Sequence, residues 1–187
     1  MTALIILLAI VIVLGGYGLC LYNSLVSRRN RVDEGWSDID VQLKRRHDLI
    51  PNLIESVKGY MEHERETLEA VTRARTAAMT AQASGNTAEL AQAENQITAA
   101  LKTIFAVSEQ YPNLRANENF LQLQQELADT ENKIMASRRF YNGQVRDFNT
   151  AIQHFPALVV AGPLGFKSRA FFELADESER ENPQVKF

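Results

Sequence analysis

The sequence predicts an all-α protein, an N-terminal transmembrane helix followed by an elongated up-and-down bundle of three to four long helices. Three observations predict it. No side chain from Met1 to Ser27 is charged. Beyond that point apolar residues recur at three- and four-residue steps, the spacing of an amphipathic helix. Glycine and proline are sparse, 9 and 5 in 187 residues, and no ladder of β-branched segments punctuated by tight turns interrupts the helix formers.

The first element is the anchor, residues 1–27. About twenty apolar residues, each rising about 1.5 Å, cross a hydrocarbon core of roughly 30 Å, and in lipid the backbone has to pair with itself, which makes this segment helical. Lipid contact is expected through residues 3–25, with Tyr22 suited to the membrane–water interface. Gly15, Gly16 and Gly18 allow close approach of another helix. A cleaved signal peptide fits less well: Met1-Thr2-Ala3 carries no basic residue and the apolar run is too long. Gly18-Leu19-Cys20 lacks the small residue expected before a lipidated cysteine. Arg28, Arg29 and Arg31 follow the span, and Lys44, Arg45 and Arg46 lie within reach. The excess of basic residues on that side predicts a cytoplasmic soluble domain with the N-terminus outside.

The bundle is expected over residues 28–160. Its first helix continues directly out of the membrane, with a seam of Val32, Trp36, Ile39, Leu43, Ile50, Leu53, Val57 and Tyr60. Arg46 stands where an apolar residue is due. Pro51 has no N–H and crowds the His47 carbonyl, which predicts a kink or brief interruption there. The pattern resumes through Leu68 and Val71 into an alanine-rich run, and the first clear break is Ser84-Gly85-Asn86-Thr87, with Gly85 closing one helix and Asn86 or Thr87 capping the next. A second stretch runs through Leu90, Ile97, Leu101, Ile104 and Phe105 and stops at Tyr111-Pro112-Asn113. The third has the strongest period: Phe120, Leu127, Ile134, Tyr141, Phe148 and Phe155 lie seven apart, with Leu123, Val145 and Ile152 in a second row. That period implies left-handed packing of the bundle type. Residues 161–187 read as an irregular tail with a short helix over Ala170–Ala175.

Composition excludes some functions. A net charge of −3 with no basic face argues against nucleic-acid binding. The single cysteine, Cys20, rules out a disulfide framework or a cysteine-based zinc site.

The stretch Arg45-Arg46-His47-Asp48-Leu49-Ile50-Pro51-Asn52 is dense in polar groups, but His47 and Asp48 are neighbours in sequence and point about 100° apart on a helix. The stretch reads as charged residues before a proline at a bend, or as a contact for a partner. His63-Glu64 lacks the second histidine of a zinc-protease helix, because Thr67 stands there, and MEHERE reads as a solvated helix face. His154 suits the negative end of a helix dipole. The densest polar–aromatic patch is Arg138, Arg139, Tyr141, Asn142, Arg146 and Asn149. Tyr141 is a core residue by spacing, and the arginines are expected to pair with carboxylates of neighbouring helices or to meet an acidic partner, a lipid phosphate or another subunit. No phosphate loop, nucleophile elbow or metal cluster is present in the sequence, so no catalytic, cofactor-binding or metal residues and no cofactor are assigned.

The blocks NRVDEGWSDIDVQLKRRHDLIPNLIESVKGY and YPNLRANENFLQLQQELADTENKIMASRRFYNGQVRDFNTAIQHFP, followed by GFKSRAFFE, closely resemble the LemA family over nearly the whole chain. The positions carrying the resemblance are Trp36, Arg46, Asp48, Leu49, Pro51, Asn52, Tyr141, Asn142, Phe148, Asn149 and Pro156. The resemblance implies a bacterial single-pass membrane protein with an elongated helical bundle, N-out topology and no established enzyme activity. A protein of magnetosome membrane biogenesis is similar to this family, which implies a role in organising membrane. The expectation is a non-enzymatic scaffold in the bacterial cytoplasmic membrane that forms homo-oligomers or organises membrane or another membrane protein. The alternative is an adaptor or regulator of a membrane enzyme such as a protease or a signalling complex.

Overall fold

The computed structural model describes residues 1–173, and every regular element among them is a helix: α1 (Thr2–Lys58), α2 (Arg65–Ser84), α3 (Thr87–Ser108), α4 (Pro112–Arg115), α5 (Glu118–Gln153) and α6 (Ala157–Ala161). Residues 170–173 are not helical. The rest of the expected Ala170–Ala175 helix, and the tail after it, lie outside the described residues.

Among the described residues α1 is the one helix long and apolar enough to cross a membrane. It is unbroken through Pro51, where the sequence led us to expect a kink or interruption. The proline leaves the His47 carbonyl without its usual donor four residues on. Arg75 of α2 supplies the replacement, its Nε donating to His47 O at 2.7 Å. Pro51 itself is exposed.

The first break comes earlier than Gly85. The chain turns at Gly59–Glu64, where the Tyr60 and Met61 amides bond back to Val57 O at 2.9 Å. MEHERE is therefore this turn and the start of α2, with Arg65 and Arg73 both paired to Glu69. Tyr60 falls outside the seam and is exposed. The second break is as expected: Gly85 closes α2 at φ 72°, where a side chain would be strained, and Asn86 caps α3 by accepting from the Ala88 and Glu89 amides.

The chain divides into two compact units. The second comprises Ile39–Arg138, joined by Phe172. Its core takes Leu43, Ile50, Leu53 and Val57 from α1, Val71, Ala74, Ala78 and Ala81 from α2, Leu90, Ile97, Leu101 and Ile104 from α3, and Phe120, Leu127 and Ile134 from α5. Burying each large aliphatic chain contributes about 1.5–3 kcal/mol. Phe105 and Phe120 meet edge to face at 6.3 Å. At one end the Asn117 side chain caps α5 by accepting from the Phe120 amide, and Tyr111 donates to Glu64. Burial raises the Tyr111 phenol above its ordinary value, and the Glu64 carboxylate adds to the rise.

The first unit comprises Met1–Asp38 and Arg139–Phe171. Its core is Leu25 and Val32 of α1, Tyr141, Val145, Phe148 and Ile152 of α5, Ala157 and Ala161 of α6, and Phe166. The seven-residue row of α5 is buried from Phe120 to Phe148. Phe155, expected as its next member, lies past the end of α5 and is 83% exposed.

Candidate functional site

Arg46 lies on the buried seam of α1 between Leu43 and Ile50 and is 1% exposed. Its guanidinium reaches two other helices of the second unit. Nη1 lies 3.3 Å from Glu94 Oε2 on α3, and Nη2 donates to Thr98 Oγ1 at 2.6 Å and pairs with Glu131 Oε2 on α5 at 3.1 Å. His47 is also buried, its Nε2 2.7 Å from Glu94 Oε1. With the proton on Nε2, His47 donates to a carboxylate that can only accept. Glu94 is 0% exposed and both its oxygens are taken.

Each member is thereby satisfied by another, as burial of charge requires. The Thr98 hydroxyl is occupied with Arg46, and Glu94 has no face open to solvent. What this arrangement does chemically is fix α1, α3 and α5 of the second unit in one register. Glu94 was not singled out in the sequence, although the signal was there: it lies between Leu90 and Ile97 at seam spacing, an acid on an apolar face just as Arg46 is a base on one. Glu131, half-buried on α5, gave no such signal.

The other residues of that stretch do not join the cluster. Asp48, Pro51 and Asn52 are exposed. The stretch carries an inward pair, Arg46 and His47, on an uninterrupted helix whose next residue faces out.

The patch from Arg138 to Asn149 also separates into roles. In the first unit Tyr141 is buried, its ring 5.5 Å from that of half-buried Trp36, and its hydroxyl donates to Ala170 O at 3.0 Å. Burial raises the Tyr141 phenol above its ordinary value; the Arg169 charge lowers it and Asp33 raises it by smaller amounts. Asn149 clamps the backbone of Arg169, Nδ2 donating to its carbonyl at 2.9 Å and Oδ1 accepting from its amide at 2.8 Å. The Arg169 side chain pairs with Asp33 of α1 at 2.9 Å. Phe166 meets Tyr22 and Phe148 edge to face, and Arg29 stacks over its ring at 5.6 Å. The GFKSRA segment is therefore a strap across α1 and α5 of the first unit, held by residues that spacing alone reads as a polar patch. Arg139 is exposed, Arg146 pairs with its neighbour Asp147 at 3.4 Å, and Arg138 and Asn142 are half-buried.

Gly35 explains why α1 and α5 come so close here. A Cβ on it would lie 3.2 Å from Tyr141 Cα and 3.3 Å from Phe140 Cδ1.

The second unit also carries an open groove of about 1620 Å³, walled by Leu68, Thr72, Thr76 and Ala77 of α2 and by Ala93 and Gln96 of α3.

A model of the LemA family matches residues 35–187. The chain is similar to Protein LemA of Metamycoplasma hominis, with 32% identity over 159 residues, covering 84% of this chain and 71% of that protein. The matched region takes in both the buried cluster and the strap, and on these grounds the chain belongs to the LemA family.

Proposed function

We propose that this protein is a membrane-anchored, non-enzymatic helical scaffold, set in the bacterial cytoplasmic membrane by α1 and self-assembling or organising membrane or partner proteins. The observation that carries the reading is α1 itself. Its exposed apolar start and its buried seam belong to one unbroken helix, Thr2–Lys58, so the bundle is held at the membrane with no linker. Arg28, Arg29 and Arg31 after the apolar stretch favour a cytoplasmic domain and an outer N-terminus. A Cβ at Gly15, Gly16 or Gly18 would meet nothing within 4 Å, and the lack of side chains there permits close approach of another helix. The polar cluster most like a reactive site is closed and saturated, which supports a structural role for it.

A second reading is an adaptor or regulator of a membrane enzyme such as a protease or a signalling complex. The groove between α2 and α3 favours it, because partner helices dock in such grooves.

The test is the particle size of the full-length protein extracted in mild detergent, by light scattering and electron microscopy. The scaffold reading expects a regular homo-oligomer. A small particle carrying a second protein in fixed ratio supports the adaptor, and a monomer that retains nothing overturns both.

A further inference from the structure

The turn after α5 is two-faced in an unusual way. Ala157, Ala161 and Phe166 point inward and are buried. The residues pointing outward are also apolar: Phe155 is 83% exposed, Leu158 57%, Val159 63% and Leu164 48%. Leu158 and Val159 stand on α6, and Phe155 lies in the turn just before it. The Leu158 amide bonds to His154 O at 2.9 Å and the Leu164 amide to Val160 O at 3.1 Å, so the turn is a built element. Four large apolar chains exposed within ten residues form a concentrated apolar surface, and such a surface marks a contact with protein or membrane.

Its place in the first unit says which. Phe166, at the end of the turn, packs against Tyr22 at 5.9 Å and under Arg29 at 5.6 Å. If the span begins near Ala3, about twenty residues bring it to the interface close to Tyr22. Packing on α1 starts within the apolar stretch: every residue from Thr2 to Tyr17 is exposed, whereas Gly18 and Leu21 are half-buried and Leu25 is buried. The turn therefore lies where the span ends, at the level of the lipid headgroups. Basic residues accompany it, with Arg28 on α1 and Lys167 beside Phe166, both exposed. Exposed apolar residues with exposed cations on the adjoining segments are the composition of an element lying in the interface of an anionic bilayer.

We propose that the 155–165 turn is a second membrane contact, with Phe155, Leu158, Val159 and Leu164 inserted in the leaflet where α1 leaves the bilayer and Arg28 and Lys167 among the anionic headgroups. This rests on the reading of α1 as a membrane span. It gives the anchor a wedge beside it, so that the first unit is seated in the bilayer surface and does not merely stand above it.

The experiment uses the full chain with Cys20→Ser, reconstituted into vesicles of phosphatidylethanolamine and phosphatidylglycerol. Single cysteines at Leu158→Cys and Leu164→Cys carry an environment-sensitive fluorophore. Ile12→Cys reports on the span and Asp38→Cys on water, the latter about 24 Å along α1 from Tyr22 by helix rise. The four sites are exposed, so the substitutions leave packing alone. Quenching is read with lipids carrying a doxyl group high or low on the acyl chain. The expected result is quenching at 158 and 164 several-fold above that at 38 and strongest with the shallow quencher, while 12 answers to the deep one. If 12 is quenched and 158 and 164 behave like 38, the wedge is overturned and the span stands. A blue-shifted signal at 158 that ignores lipid quenchers means that protein covers the turn, a second copy or another chain, and also overturns it. If 12 is itself unquenched, the span reading fails and the wedge falls with it.

Discussion

The two units draw on the same two long helices, α1 and α5, and build opposite kinds of core from them. In the second unit α1 directs Arg46 at a buried carboxylate of α3, Glu94, and α5 directs Glu131 at Arg46. In the first they direct Trp36 and Tyr141 at each other and close Phe148 and Tyr22 around Phe166. An aromatic row requires only that its face be covered. A buried charge requires one particular partner, which comes from a distant part of the chain. The polar core thus says which helices pack and in what register, and the aromatic core says only which faces are hidden.

The sharpest way to break this comparison is to remove the partner. Glu94→Ala leaves Arg46 and His47 facing a buried gap and is expected to cost about 3–5 kcal/mol, the usual loss for one member of a buried ion pair. Hydrogen exchange on the full-length protein in detergent would read it as faster exchange in the amides from Leu43 to Val57. Replacing the cluster together, Arg46→Met with His47→Leu and Glu94→Leu, is expected to cost much less, because well-packed apolar residues often substitute for buried pairs at little net loss. If Glu94→Ala and the triple replacement cost the same, the cluster sets no register.

In the first unit the corresponding weak point is shape. Gly35→Val sets new methyl groups against the Tyr141 backbone, where a Cβ alone would already be at 3.2 Å, and is expected to cost about 1–3 kcal/mol as overpacking. Gly143 on α5 has nothing within 4 Å of a Cβ, so Gly143→Ala is expected to stabilise by about 0.5–1 kcal/mol through helix propensity. Thermal melts in detergent that moved both variants the same way would deny the close approach.

A smaller effect links α1 to α2 in the second unit. Arg75→Ala leaves the His47 carbonyl without a donor and is expected to cost about 1–2 kcal/mol. Pro51→Ala restores an N–H four residues after His47, so in that background the Arg75→Ala loss should shrink. The coupling is read from a double-mutant cycle, and additive effects would show that Arg75 is not replacing the missing helix bond.

The same contrast explains what was legible in the sequence. The α5 row from Phe120 to Phe148 could be read because its period lies within one helix. Gly85 and Asn86 could be read because capping is local. Pro51 suggested a break because only its own helix was considered; the residue that keeps α1 continuous is 28 positions from the orphaned carbonyl. Gly59 was passed over because seam residues resume at Leu68 and hid the turn. Arg46 was recognised as misplaced, but its partner Glu94 is 48 positions away, and only treating both seam violations as a pair would have joined them. The strap from Phe166 to Ala170 has no period to detect, and the bonds it takes from Tyr141 and Asn149 are to its backbone atoms, which carry no sequence signal.

The finest probe of the comparison is Tyr141, where the aromatic core borrows a polar device. Its hydroxyl donates to Ala170 O, so Tyr141→Phe should cost about 0.5–1.5 kcal/mol for one hydrogen bond. That loss should appear in exchange of the strap amides near Ala170. The phenol also predicts a pH dependence. Its folded value is raised, chiefly by burial, which means that the folded state holds the proton more tightly than the unfolded chain does. The stabilisation is fully present below the unfolded value of about 10 and is lost as pH rises through the folded value, because the unfolded chain then binds fewer protons. Above about pH 10 the strap of the unsubstituted protein should loosen, and Tyr141→Phe should remove that part of the slope. The Arg46–Glu94 contacts of the second unit contain no phenol and should show none of it. A slope that survives Tyr141→Phe would place the alkaline sensitivity outside the aromatic core.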